Sequence, residues 1–374
     1  MSHASHAGNA PDPTGLNSAA QLLWRALLGA AIDDRPVPPP TATDLRILAD
    51  RLTRRCSAGW AASLLAPLAP VVDAPLVDPA AAMSARLLSK LTQAAQEAAL
   101  RRMIAAGLHP VALKGFANAH LLYDDPTLRI VGDLDVLLPR SEIGAAVDLF
   151  VPLGYRFGGT RQTRWGFISD ASYVPFYSPD GVTNIDLHVE PDAWPLPRGL
   201  GAADVLGDAR ALALPGGPVR VPRDEHTLLI CLSNIAKDRF GWQTLSKAID
   251  AARLLTRRGA SLDWREIERR ATLARLRRPL DALLALLVAL GLPPSAIPMT
   301  PRPPRGLAGR AWRQVLADWQ AVFPRELSGT DLLWRDLALA QTPATAARLN
   351  WWRLKGLLRP ESGLPAEARD RGLG

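Results

Sequence analysis

The chain has 374 residues, 48% hydrophobic and 21% charged, with 44 basic against 36 acidic side chains and a formal charge of +8. That balance excludes a wholly disordered chain, a collagen-like repeat and a small disulfide-stapled scaffold, and leaves ample material for a core. The positive surplus favours anionic partners, but only five of the basic residues are lysines, and coding bias toward arginine accounts for it equally well.

Residues 1–107 read as an N-terminal helical region. LNSAAQLLWRALLGAA, TDLRILADRLTRRCSAGWAASLLAPL and AAAMSARLLSKLTQAAQEAALRRMIAAGL each repeat apolar residues at three- and four-residue spacings. The Pro-rich RPVPPP separates the first two, and Thr43 is the expected N-cap of the second. Residues 108–222 change character. Short runs rich in Val, Ile and Leu (PVALKG, RIVGDLDVLLP, LGYRF, ASYVPFY, TNIDLHVE, GPVRVP) predict a compact mixed sheet. Among them, SEIGAAVDLFVPLG predicts one helix from an N-cap at Ser141 to a stop at Gly154.

Residues 223–360 read as a C-terminal helical domain, with DEHTLLICLSNIAKDRF, TLSKAIDAARLLTRR, DWREIERRATLARL and PLDALLALLVALG as its first four helices. After the Pro-rich SAIPMTPRPPRG come AWRQVLADWQAVF, DLLWRDLALA and PATAARLNWWRLKGLL, and residues 361–374 form a loose tail. The fold class is therefore α+β. Cys56 and Cys231 make no disulfide framework and no zinc pattern, so a reducing, cytoplasmic setting is expected. The N-terminus lacks the basic n-region of a signal peptide. The longest nearly apolar run, Ala282 to Leu292, is too short to cross a bilayer, so no stable membrane insertion is expected.

The chemistry concentrates in the middle region. In GDLDVLL, Asp133 and Asp135 are two apart on a predicted strand, so both carboxylates project to one face, roughly 7 Å apart. Like charges this close repel, and a bound cation such as magnesium relieves them. The alternative is an aspartate pair capping a turn. In TNIDLHVE, Asp186 and His188 share a face opposite Ile185 and Leu187. If that strand neighbours the first, three carboxylates converge, which suits two divalent ions and in-line attack of a hydroxyl on phosphorus. Asp186 can also accept the hydroxyl proton, while His188 is read as supporting the metal ligands from behind. Upstream, Lys114 and Gly115 sit at a strand–turn–helix junction. There a glycine lets backbone N–H groups approach phosphate and a lysine adds a point charge. Arg129 either neutralises the acidic cluster or contacts phosphate.

These residues in this order resemble the uncharacterised nucleotidyltransferase family of the DNA polymerase β-like superfamily. The resemblance rests on Leu113, Lys114, Gly115, Tyr123, Arg129, Asp133, Asp135, Gly154, Tyr155, Asp186 and His188, and continues into RDEHTLLICL, LSKAIDAARLL and LDW, over about residues 80–290. It implies a minimal nucleotidyltransferase core, flanked by N-terminal helices and followed by a helical domain that closes over the nucleotide. It also implies transfer of a nucleoside monophosphate from an NTP to a hydroxyl, using magnesium. Asp133 and Asp135 would carry the metals, Asp186 the metal or proton work, and Lys114–Gly115 the triphosphate. ATP is the default donor, and the acceptor is open among a small molecule, a peptide or protein side chain, and an RNA end.

Two alternatives stand beside this reading: a toxin-type enzyme modifying transfer RNA, and a non-catalytic nucleotide- or partner-binding protein that retains the fold. The first would use the arginines from Arg253 to Arg278 as a phosphate-contacting patch. The plainer reading of those arginines is a solvated face paired with Asp263, Glu266 and Glu268. Arg161 and Arg164 lie in a Gly-rich loop, Lys237 lies late in a helix, and Glu190, Asp192 and Trp194 follow Asp186 where an acceptor could bind. His109 reads as a turn residue, and the C-terminal tryptophans as helix-packing groups.

Overall fold

The structure, a computed structural model, describes residues 23–24, 41–66, 75–158, 171–241, 244–320 and 327–358. Most of the first predicted helix, the RPVPPP break, Arg161, Arg164 and the C-terminal tail lie outside the described residues.

The N-terminal region supplies α1 (Ala42–Arg55), α2 (Ala58–Leu65) and α3 (Pro79–Ala105). The cap of α1 is Thr41 and not Thr43. Its hydroxyl accepts from the Asp44 N–H at 3.2 Å while the Asp44 carboxylate accepts from the Thr41 N–H at 3.0 Å, closing a capping box. The single helix expected over this stretch is broken in two because Ser57 caps a new one, accepting from the Trp60 N–H.

The core follows as β1 (Val111–Ala112), α4 (Lys114–Leu122), β2 (Leu134–Leu137), α5 (Ile143–Phe150), β3 (Arg156–Phe157), β4 (Phe176–Tyr177), β5 (Asn184–His188), α6 (Ala202–Gly207), β6 (Arg210–Leu214) and β7 (Gly217–Val221). Ser141 does not cap α5: it lies in a 3-10 turn, Arg140–Glu142, and no side chain caps the helix. Pro152 lacks the N–H that a continuing helix needs, so the chain tightens into a 3-10 turn and stops at Gly154, whose φ of +87° is the left-handed conformation glycine tolerates. The hairpin strand β6 and the short α6 have no counterpart in the sequence reading. RALAL carries alanines that pack little on a pleat and gave no strand signal.

The seven strands make one mixed sheet in the order β3-β4-β5-β2-β1-β7-β6. The pair β2–β5 is parallel, with Asp135 opposite Asp186 and Leu137 opposite His188, and β1–β2 is antiparallel. Alternation then sorts the side chains. Leu134, Val136, Ile185 and Leu187 enter an apolar cluster with Met103 of α3 and Ala146, Val147 and Phe150 of α5. The opposite face, carrying Asp135, Asp186 and His188, is left to the C-terminal helices.

Those helices are α7 (Asp224–Lys237), α8 (Leu245–Arg258), α9 (Trp264–Leu273), α10 (Arg277–Leu290), α11 (Gly306–Gln320), α12 (Gly329–Leu339) and α13 (Pro343–Leu358). Leu349 of α13 packs with Ala171, Ala193 and Trp194, while the apolar sides of α7–α12 share one core cluster with α1, α2, Val111 and Leu137. Trp319 is fully buried within it, Trp24 stacks at 5.6 Å from it, and the Trp24 Nε1–H donates to the Trp319 carbonyl at 2.9 Å. Trp351, in contrast, is 64% exposed.

The junction between sheet and helices runs through Asp250 of α8, 1% exposed. Its carboxylate accepts from the Tyr123 hydroxyl at 2.8 Å, Asn118 Nδ2 at 3.1 Å, and Arg129 Nε and Nη2 at 3.1 and 3.0 Å. A buried charge this well satisfied holds the segments together, and removing one partner strands the others.

Two outcomes test this account. Asp250→Ala should lower unfolding free energy in denaturant titration by about 3–5 kcal/mol, whereas the apolar double variant Arg129→Met with Asp250→Leu should recover much of that loss. At the start of α7, His226 is wholly buried and accepts from Arg223 Nε at 3.0 Å. Burial, then the Arg223 and Arg270 charges, push its pKa down to about 4. The neutral ring is the native form, so its contribution is complete above the unfolded value near 6.5 and is lost as pH falls toward 4. Up to roughly 3 kcal/mol is at stake, and His226→Gln should flatten the pH dependence of stability across that window.

Candidate active site

Asp135 lies mid-strand in β2, and the parallel register sets it beside Asp186 on β5 with His188 one pleat further along. The antiparallel β1 delivers the third element. After Leu113, whose N–H donates to the Asp135 carbonyl at 2.9 Å, the chain turns at Lys114 with φ +45° and begins α4. The turn brings Lys114 Nζ to 2.7 Å from Asp135 Oδ1 and 3.4 Å from His188 Nε2. Gly115 fits where a Cβ would meet Val131 Cγ1 at 3.2 Å, so a side chain there would press on the segment leading to Asp133. No side chain caps α4.

The electrostatics follow from three carboxylates and one ammonium in a low-dielectric recess. Burial alone would raise the Asp135 carboxyl, but the Lys114 ammonium against it holds it well below the usual carboxylate range. Burial would lower Lys114, yet Asp135 and Asp192 outweigh that and keep it charged. Asp186 has no such partner: burial, then the Asp135 and Asp133 charges, push it up to about 8, and its buried Oδ1 has no hydrogen-bond partner. Asp133 sits half-buried in the bend before β2 and is raised by the Asp135 charge and by burial.

Ligand atoms of Asp135, Asp186 and His188 all lie within 4.8 Å of one another. This tight group includes His188, read from sequence as a supporting residue, and does not include Asp133, which acts on it through charge. His188 is 2% exposed, with Nδ1 3.0 Å from the Glu190 carbonyl and Nε2 2.8 Å from Asp135 Oδ1.

The group opens into a cleft of about 480 Å³ between the sheet and the helices. Lys114, Gly115, Asp133, Asp135, Asp186 and His188 line one wall, and Asn234, Lys237, Asp238 and Lys247 the other. Lys237 Nζ donates to buried Asp192 at 2.9 Å, beside Asn234 Nδ2 at 3.2 Å, and Lys247 Nζ donates to Asp238 at 3.1 Å. Lys247, Asn118 and Asp250 went unnoticed in the sequence. The one signal for Asp250 is that it shares the helical phase of buried Leu254, where an apolar residue is expected. Arg129 also borders the cleft, but its guanidinium is engaged by Asp250 and not by the acidic cluster.

Other candidates have structural partners. Glu190 accepts from the Ala202 N–H at the start of α6, His109 pairs with Glu142 at 2.7 Å, and Arg348 stacks over Trp194 at 4.4 Å. The arginine stretch is largely consumed. Arg257 pairs with Asp124, Arg258 with Asp224, Arg269 and Arg270 with Glu266, and Arg277 with Glu268 and Asp281, while Arg253 stacks on Tyr123. Among the described residues, no helix is long and apolar enough to cross a membrane.

No curated protein and no solved structure matches this chain. The family model described as uncharacterised nucleotidyltransferase matches residues 73–291, more than half of the chain, and spans both walls of the cleft. With its paired acidic strands, lysine turn and closing helices, the chain belongs to the uncharacterised nucleotidyltransferase family.

Proposed function

We propose that the protein transfers a nucleoside monophosphate from an NTP, with ATP the first donor to test, to a hydroxyl-bearing acceptor. The observation that carries this reading is the convergence of Asp135 and Asp186, with Asp133 beside them, on a cleft faced by Lys237 and Lys247. Three carboxylates with one ammonium leave a net negative recess whose buried Asp186 oxygen lacks a partner, a donor set that fits divalent cations. Asp133, Asp135 and Asp186 would hold two ions, with magnesium arriving on the triphosphate. When bound, the ions neutralise phosphate charge and lower the pKa of a coordinated hydroxyl.

The chain's own groups do the rest. Lys114 and Gly115 at the start of α4 face Lys237 and Lys247 across the cleft, and the triphosphate would compete with Asp135, Asp192 and Asp238 for these ammonium groups. The acceptor oxygen forms a bond to the α-phosphorus, the bond to pyrophosphate breaks in line, and pyrophosphate leaves. Asp186, the register partner of Asp135, is the carboxylate assigned either to a metal ion or to the hydroxyl proton. The transfer-RNA reading draws no support from arginines already engaged in ion pairs.

Incubation with each α-labelled NTP, magnesium and cell lysate should place label on an acceptor, and Asp135→Asn should reduce that labelling by about a hundredfold or more. Tight NTP binding with no label in any fraction would instead identify a non-catalytic binder.

The pH dependence gives a second check. A carboxyl raised from 3.8 to about 8 favours the metal-free fold fully below the unfolded value, and that contribution is lost as pH rises toward 8. Divalent cations must displace the proton, so their affinity should climb with pH and level off above 8. Calorimetric titrations of the wild type and Asp186→Asn should show this slope in the former and its loss, with weaker binding, in the latter.

A further inference from the structure

We propose that His188 is a direct ligand of one divalent ion, held together with Asp135 and Asp186, and that this mixed set selects a first-row transition ion over magnesium. The inference rests on the metal-dependent reading above and specifies one of its ions.

The geometry begins with the backbone. Asp186 and His188 are two residues apart on β5, so both face the cleft, and Asp135 is the register partner of Asp186. The imidazole is held from behind: the Glu190 carbonyl, which can only accept, lies 3.0 Å from Nδ1, so Nδ1 carries a proton and donates it. A second-position nitrogen whose partner donates to a backbone carbonyl is the arrangement that fixes a histidine for metal binding. The ring is buried, 2% exposed.

Nε2, on the far side of the ring, lies 2.8 Å from Asp135 Oδ1. The Lys114 ammonium sits against both atoms, 2.7 Å from the oxygen and 3.4 Å from the nitrogen. Two of the three donor atoms thus already converge on a cation belonging to the chain. The third, the buried Asp186 Oδ1, has no partner. Lys114 is a placeholder, and a divalent ion engages all three donors while the ammonium is released toward the cleft and its phosphates.

Donor chemistry then sets the preference. Magnesium is a hard ion that takes oxygen ligands and holds its waters, whereas imidazole suits iron, nickel, copper and zinc; manganese, the weakest binder of that series, is the spectroscopic probe for the site. Asp133, outside the tight group, leaves an all-oxygen environment for the ion that travels with the triphosphate.

The test uses the tag-free full chain, metal-free, titrated with manganese and read by electron paramagnetic resonance. Manganese should bind at least about tenfold more tightly than magnesium in competition, and the bound signal should carry a histidine-nitrogen hyperfine coupling. Protein grown on histidine bearing the heavy nitrogen isotope should change that coupling with no mutation, so the assignment does not depend on a variant folding. His188→Gln should abolish the coupling and weaken manganese about tenfold or more, with magnesium less affected. Manganese bound without nitrogen coupling, or a coupling that survives His188→Gln, overturns the ligand assignment and leaves the carboxylate metal reading standing. Manganese binding that is absent, or indifferent to Asp135→Asn, overturns both.

Discussion

A buried carboxylate on one helix and the three donors that reach it from the sheet side hold this molecule's two halves in register. Asp250 has no water to solvate it, so its charge is tolerable only while Arg129, Tyr123 and Asn118 stay in place. Those donors come from α4 and the segment leading to β2, the same stretch that carries Lys114, Gly115 and Asp133. The position of α8, and with it Lys247 across the cleft, is thereby tied to the strand that bears Asp135.

The face of β2 and β5 that carries Asp135, Asp186 and His188 is built against that background at a local energetic cost. Three carboxylates are gathered where solvent is scarce, and a single lysine meets only one of them directly. A fold selected for stability alone would place apolar side chains here, as it does on the other face of β2 and β5 with Leu134, Val136, Ile185 and Leu187. The contrast between two faces of the same pair of strands, one satisfied and one short of positive charge, sets this face apart from one built for stability alone.

Much of this was legible in the sequence. Two-residue alternation in DLD and in IDLH put the carboxylates and His188 on one face, and period and caps placed most C-terminal helices. What local pattern cannot express is partnership at a distance. That β5 lies beside β2 depends on pairing across some fifty residues of intervening chain, and the Asp250 donors are more than a hundred residues away from it. Arg129 shows the same limit: its charge was evident, but its choice of Asp250 over the nearby acidic strand was not. The Thr41 cap is a different kind of miss, because the Thr-x-x-Asp pattern with Asp44 was present and Thr43 drew the eye first. The contact between His188 and Asp135, made like the strand pairing across some fifty residues, is tertiary information.

The indole of Trp24 bonds to the carbonyl of Trp319, and the indole of Trp319 bonds in turn to the carbonyl of Phe240. Trp24 and Trp319 lie on opposite sides of residues 73–291, outside the family match, while Phe240 follows α7 three residues after Lys237. Two indoles from outside the family match are thus linked in series onto the turn that follows α7. Loosening Trp24 or Trp319 and loosening the end of the helix that carries Lys237 become coupled events, so residues remote from the cleft in sequence bear on one of its walls.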